Sequence, residues 1–200
     1  MLNHIRPALV MLTGLTLLTG LAYPLAITGI AEAIFPWQAQ GSLVEKGGAV
    51  LGSTLIGQNF SGSGYFHPRP SATTGPDPKD AGKTVAAPYA ADNSMGSNLG
   101  PTAKALVDRV KDDITKLQAE NPGIPVPGDL VTTSASGLDP DISPAAADFQ
   151  VPRIARTRGL SQPDVRAIVA AHTTPRWLGV FGESRVNVLA VNLALDAAGK

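Results

Sequence analysis

Cysteine is absent from all 200 residues. That excludes disulfides, thiolate nucleophiles and thiolate metal sites, and it leaves the redox compartment open. Net charge is absent too, since 16 Lys and Arg balance 16 Asp and Glu. Nothing here makes an electrostatic footprint for nucleic acid or an anionic polymer. Histidine is scarce, with only His67 and His172 beyond the amino-terminal region, so a zinc site lacks donors. The G-x-S-x-G elbow of α/β-hydrolases occurs nowhere. What remains is a chain whose 44% hydrophobic content suffices for one domain with a core and something extra.

The extra part is at the amino end. Between Arg6 and Glu32 no residue is charged, and about 24 helical residues at ~1.5 Å each reach ~36 Å, enough to cross a hydrocarbon core ~30 Å thick. Secretory signals have shorter apolar regions, so the run reads as an uncleaved anchor; Ala31-Glu32-Ala33 keeps a cleaved leader as the alternative. The amino group and Arg6 precede the span, whereas Glu32 and an interfacial Pro36-Trp37 pair follow it. The amino terminus is therefore expected in the cytoplasm and the rest outside. Thr13, Thr16 and Gly20 share a face where another helix can approach closely. The same spacing also arises from the ordinary abundance of Gly and Thr in membrane helices.

Beyond the span, residues 43–60 interleave Val, Leu and Ile with Gly, a pattern of short strands and turns. Residues 61–101 lose apolar periodicity and read as an irregular Gly/Pro-rich loop suited to binding. A helix is expected from Pro101 to Asn121, with Leu106, Val110, Ile114 and Leu117 on one stripe. GDLVTTSA is expected as a strand, several short helices are expected between Ser143 and His172, and SRVNVLAVNLAL is expected as a closing strand. Pro152 is expected to open one of those helices, Gly159 to close it, and Ser161 to cap the next. Arg153, Arg156 and Arg158 form either a solvated face or a docking face for an acidic partner. The fold class is mixed α/β (α+β), an extracytoplasmic domain over 37–200 anchored by one transmembrane helix and its interfacial exit over 7–36, after a cytoplasmic 1–6.

Several stretches carry chemistry by residue type. Ala81-Gly82-Lys83-Thr84 matches the tail of a phosphate-cradling loop, but Asp77 stands where the first glycine belongs. Ser134, Ser136, Asp139 and His172 supply the types of a hydrolytic triad. Asp139 and Asp141 could hold a cation, although the EF-hand series is missing. Backbone shaping explains the same stretch better. Gly137 permits a left-handed turn, Pro140 fixes the chain after Asp139, and Ser143-Pro144 is an N-cap with proline at the first helical position.

Read together and in order, GSTLIGQNF, YFHPRPSA, SNLGP, DLVTTSASGLDPDISPAAADFQVPRIARTRG and RVNVLAVNLALD resemble the C subunit of the Kdp potassium-transporting ATPase over almost the whole chain. The departures are Asp141, where histidine or asparagine is frequent, and a threonine after His172 where many members carry glutamate. The resemblance implies a non-catalytic accessory subunit in a bacterial inner membrane. Its partners would be a potassium-binding channel-like subunit, a P-type ATPase subunit and a very small stabilising subunit. The chain lacks the D-K-T-G-T phosphorylation motif. The resemblance also implies a catalytic chaperone that raises the pump subunit's affinity for ATP, with Gln150 as the nucleotide-binding candidate and no cofactor or metal held by this chain alone. The expected orientation puts Gln150 on the far side of the membrane from cytosolic ATP, so direct contact stays open. Expected partner contacts are Thr13, Thr16 and Gly20 on the span and Tyr65, Arg69 and Asn98 in the irregular stretch, with membrane lipid around the span and no nucleic acid. The alternatives are a membrane-anchored exported hydrolase and a periplasmic binding module.

Overall fold

With no charge between Arg6 and Glu32 to draw the chain toward water, Ile5–Ile34 forms a single 30-residue helix (α1), long and apolar enough to cross a membrane. Its side chains are exposed nearly all round, the surface that a helix in lipid presents. One wide π-type turn, Leu18–Ala22, interrupts the α geometry just before Pro24. Pro24 cannot donate to the carbonyl four residues back, and the wider turn absorbs that loss. The computed structural model describes residues 2–199; the amino group on Met1, counted above as a charge before the span, lies outside the described residues.

The chain forms two compact units that part between Ser53 and Thr54. In the first, α1 is followed by a short helix, Pro36–Ala39 (α2), and by the antiparallel hairpin Leu43–Lys46 (β1) and Ala49–Ser53 (β2). Gly47 and Gly48 turn the hairpin with φ of 61° and 79°, the left-handed pair that a two-residue turn requires. The strands expected over 43–60 thus exist, but they end at Ser53.

The second unit contains the hairpin Thr74–Asp77 (β3) and Asp80–Ala86 (β4), the helix Lys104–Glu120 (α3), and a three-stranded antiparallel sheet in the order β5-β7-β6. These sheet strands are Asp141–Ile142 (β5), Thr173–Thr174 (β6) and Arg185–Asn187 (β7). Between and after them come Pro144–Arg158 (α4), Gln162–Ala171 (α5) and Val188–Ala198 (α6). The core joins Val151 and Ile154 of α4, Val165 of α5, Val186 of β7 and Val191 and Leu195 of α6 to Phe66 from the irregular stretch, all fully buried. Helix α3 carries its expected stripe half-buried, and Leu117 packs on the core.

Four expectations are corrected. The irregular loop expected over 61–101 contains the antiparallel hairpin of β3 and β4, in which Thr74 pairs with Ala86 and Gly75 with Val85. Residues 128–135 form no strand: Gly128–Leu130 is a single 3-10 turn. Thr132 Oγ1 donates back to the Gly128 carbonyl at 2.8 Å and Ser134 Oγ accepts from Gly137 N at 2.9 Å, local bonds that compete with a ladder. The closing segment is a strand only over Arg185–Asn187, because Asn187 Oδ1 accepts from Ala190 N at 3.0 Å and starts α6. Pro152 lies inside α4 instead of opening a helix. Burial of Ala147, Val151, Ile154 and Ala155 along one side outweighs the lost hydrogen bond, and Asn121 Nδ2 donates to the Phe149 carbonyl beside it at 2.5 Å. Ser143, Gly159 and Ser161 cap as expected.

Candidate functional site

Phe66 is fully buried although its neighbours belong to no helix or strand, so their backbone groups need partners. Two primary amides supply them. Asn192 Oδ1 accepts from Phe66 N at 2.8 Å while its Nδ2 donates to the Phe66 carbonyl at 3.0 Å. Gln150 Oε1 accepts from His67 N at 2.8 Å while its Nε2 donates to the His67 carbonyl at 3.1 Å. Each amide thus copies the pairing of a strand residue. Two guanidinium groups extend the clamp. Arg153 donates to the carbonyls of Ser63 and Tyr65 at 2.5 and 3.0 Å. Arg158 donates to Gly64 O at 2.5 Å, pairs with Asp196 at 2.8 Å and lies 4.6 Å over the Tyr65 ring.

His67 and the residues flanking the clamped strap, 59–61 and 68–71, line a cleft of 460 Å³ together with α3, α4 and Tyr89. Lys116, Asp113 and Glu120 line one wall and Gln150 and Arg153 another. Arg153 Nε lies 3.3 Å from Glu120 Oε2, near enough for charge attraction, but it is off line for a hydrogen bond and is buried without an acceptor. Burial lowers the Arg153 pKa against the pull of Glu120. Burial first, and then Arg153, lowers that of His67. His67 is therefore neutral near pH 7, with its Nε2–H donating to Gly62 O at 3.0 Å. Burial raises the Tyr89 pKa well above its usual value. Its hydroxyl donates to Arg69 O at 2.8 Å.

Gln150, the nucleotide candidate, has both acceptor positions filled by His67 N and by Arg153 Nη2 at 2.7 Å, and both donor hydrogens directed at His67 O and Ala146 O. An amide offers two of each. No hydrogen-bonding capacity is left for a ligand in this arrangement.

The polar side chains of the stretch at 134–144 are held by local backbone groups and by arginines. Ser136 Oγ accepts from Leu138 N at 3.1 Å, and Asp139 Oδ1 accepts from Asp141 N at 3.0 Å while Oδ2 pairs with Arg69 at 2.8 Å. Asp141 pairs with Arg185 at 3.0 Å, and burial nonetheless raises its pKa. Gly137 takes φ 67° with its α-carbon face against Met95 O, leaving no room for a Cβ. No cluster of three or more metal-ligand side chains exists among the described residues. His172 sits at the end of α5, with Nδ1–H donating to Ile168 O at 2.9 Å.

Of the expected partner contacts, Thr13, Thr16, Gly20 and Asn98 are exposed, Asn98 at φ 52°. Gly20 falls in the π-type turn of α1. Tyr65 and Arg69 are half-buried and tied to their own unit, Tyr65 through its hydroxyl to Asp196 at 3.3 Å. The arginine docking face is corrected as well: Arg153 is 7% exposed and Arg158 is committed to Tyr65 and Asp196, so only Arg156 faces solvent. Asn192 escaped notice in the sequence, although a lone amide in the apolar run VLAVNLAL was a visible signal.

Residues 5–197 match the family described as K+-transporting ATPase, c chain. The KdpC subunit of the potassium-transporting ATPase of Rhodopseudomonas palustris (strain BisB18) is 68% identical over 198 residues, covering 99% of this chain and 100% of that protein. Similar proteins of the same description occur in Methylorubrum populi, 66% identical over 98% of each chain, and in Bradyrhizobium diazoefficiens, 65% identical over 99% of this chain and 98% of that protein.

Proposed function

The chain belongs to the KdpC family of K+-transporting ATPase c chains, and on that premise we propose that it is a non-catalytic accessory subunit of an ATP-driven, high-affinity potassium uptake complex. The match over residues 5–197 carries this reading. In the proposal α1 crosses a bacterial inner membrane with its amino end in the cytoplasm, and the unit from Thr54 onward is extracytoplasmic. Its partners are a channel-like potassium-binding subunit, a P-type ATPase subunit and a very small stabilising subunit. The face of α1 with Thr13, Thr16 and Gly20 packs on a partner helix, and the exposed Asn98 contributes outside it. Commitment of Ser134, Ser136 and Asp139 to backbone supports a non-catalytic role. In the proposal the subunit raises the pump subunit's affinity for ATP through the assembled complex, and the filled hydrogen-bonding positions of Gln150 argue against its contact with nucleotide.

Purification of a tagged chain from native membranes is expected to bring down the three partners, and recovery of the chain alone would overturn the reading. Because cysteine is absent, a single Asp92→Cys variant isolates one reactive thiol. Labelling of intact cells by a membrane-impermeant maleimide is expected, and labelling only after lysis reverses the orientation. Gly20→Leu is expected to weaken co-purification, since overpacking a close contact costs about 1–3 kcal/mol. An undiminished yield would turn that face toward lipid.

A further inference from the structure

Between β6 and β7 the chain makes a tight turn that carries Trp177, Leu178, Val180 and Phe181 at 69, 71, 71 and 60% exposure. These values match the span itself, where Leu25 is 68% exposed. The turn is firmly built. Trp177 N donates to Phe181 O at 2.9 Å, Phe181 N donates back at 3.0 Å, and the two rings lie 5.6 Å apart. Its apex is Leu178 at φ 52° followed by Gly179 at φ 76°. A leucine in the left-handed region is strained where Asn or Gly would not be, and it puts an apolar side chain at the tip. No charge lies within 177–181. Those at the base are neutralised in pairs, Arg176 with Glu183 at 2.5 Å and Arg185 with Asp141 at 3.0 Å.

In the first unit Trp37 Nε1 donates to Leu43 O at 3.0 Å, and Leu43 pairs with Ser53 across the hairpin. Strand β2 therefore returns the chain of the first unit to the vicinity of Trp37, three residues past the end of α1. In the second unit the Thr54 carbonyl accepts from Asn187 Nδ2 at 3.0 Å. Phe181 precedes Asn187 by six residues, so at ~3.5 Å per residue, with the side chain and hydrogen bond added, the turn lies within about 30 Å of Thr54.

Four apolar side chains fall well short of the roughly 20–30 residues a side of a specific protein interface, and the paired charges at the base leave none free to direct one. A bilayer boundary demands neither shape complementarity nor free charge, and it favours aromatic side chains. We propose that the Trp177–Phe181 turn dips into the headgroup boundary of the membrane that α1 crosses, giving the second unit its own reversible hold on lipid. The proposal rests on α1 being a span but not on potassium transport.

The chain has two tryptophans, so Trp37→Phe leaves Trp177 as the sole reporter and Trp177→Phe leaves Trp37. Each full-length variant is placed in phosphatidylcholine vesicles with and without bromine on the upper acyl carbons. Blue-shifted Trp177 emission that bromolipid quenches is the expected result. Trp177 emission untouched by bromolipid but quenched by aqueous iodide, with Trp37 still quenched by bromolipid, overturns the turn's role and leaves the anchor standing. Loss of bromolipid quenching at both residues overturns the anchor and the proposal together. In the native complex, a photoreactive group on Val180→Cys that joins a partner subunit instead of lipid assigns the turn to protein and overturns the proposal as well.

Discussion

At Asn192, one side chain satisfies both backbone groups of Phe66, and all the atoms involved lie in the core. Asn192→Ala leaves a buried N–H and a buried carbonyl without partners, and at about 1–3 kcal/mol for each orphaned group it is expected to destabilise the second unit by about 2–6 kcal/mol in denaturant unfolding. A loss under 1 kcal/mol would mean that the strap relaxes to new partners. His67 adds a pH dependence. Burial and Arg153 depress its folded pKa, so the unfolded chain takes up protons first as pH falls. The stability contributed by neutral His67 is complete above the unfolded value of about 6.5 and is lost as pH drops through the depressed folded value. Asp141 slopes the opposite way, because its raised folded pKa favours the native state below the unfolded value of about 3.9 and withdraws that support as pH rises. Between pH 7 and 5 the His67 slope is expected to be visible in thermal unfolding, and His67→Asn is expected to flatten it.

Helix α4 shows how an element survives a residue that should break it. Ser143 holds its start: the Oγ accepts from Ala146 N at 3.0 Å and donates to Asp129 at 3.1 Å, while Ser143 N donates to the same carboxylate at 2.7 Å. Gly159 closes it at φ 68°. Between these caps Pro152 removes one donor, and burial on both sides of it keeps a single helix. Ser143→Ala is expected to cost about 1 kcal/mol, the usual value for a lost N-cap, and Ser143→Thr to restore most of it in the same unfolding assay. If Ser143→Ala is neutral, packing alone sets where the helix begins.

At the scale of the whole molecule, the division at Ser53 and Thr54 separates a chain segment that needs lipid from one that carries its own core. A fragment beginning at Thr54 is therefore expected to fold by itself with a cooperative thermal transition by circular dichroism; a non-cooperative melt would make the first unit part of its stability. What the sequence by itself determined is what neighbouring residues decide: the span from its charge-free run, the Gly47-Gly48 hairpin, the Ser143 and Ser161 caps and the Gly159 stop. The strand expected at 184–195 failed within that same range, because the Asn187 cap prevails over the β-propensity of the valines around it. Only the tertiary structure decided that Gln150 and Asn192 clamp the strap and that Arg153 and Arg158 turn inward. Those amides meet partners 83 and 126 residues away. No local periodicity encodes such pairings, which arise only once core burial has stripped water from the backbone of Phe66 and His67.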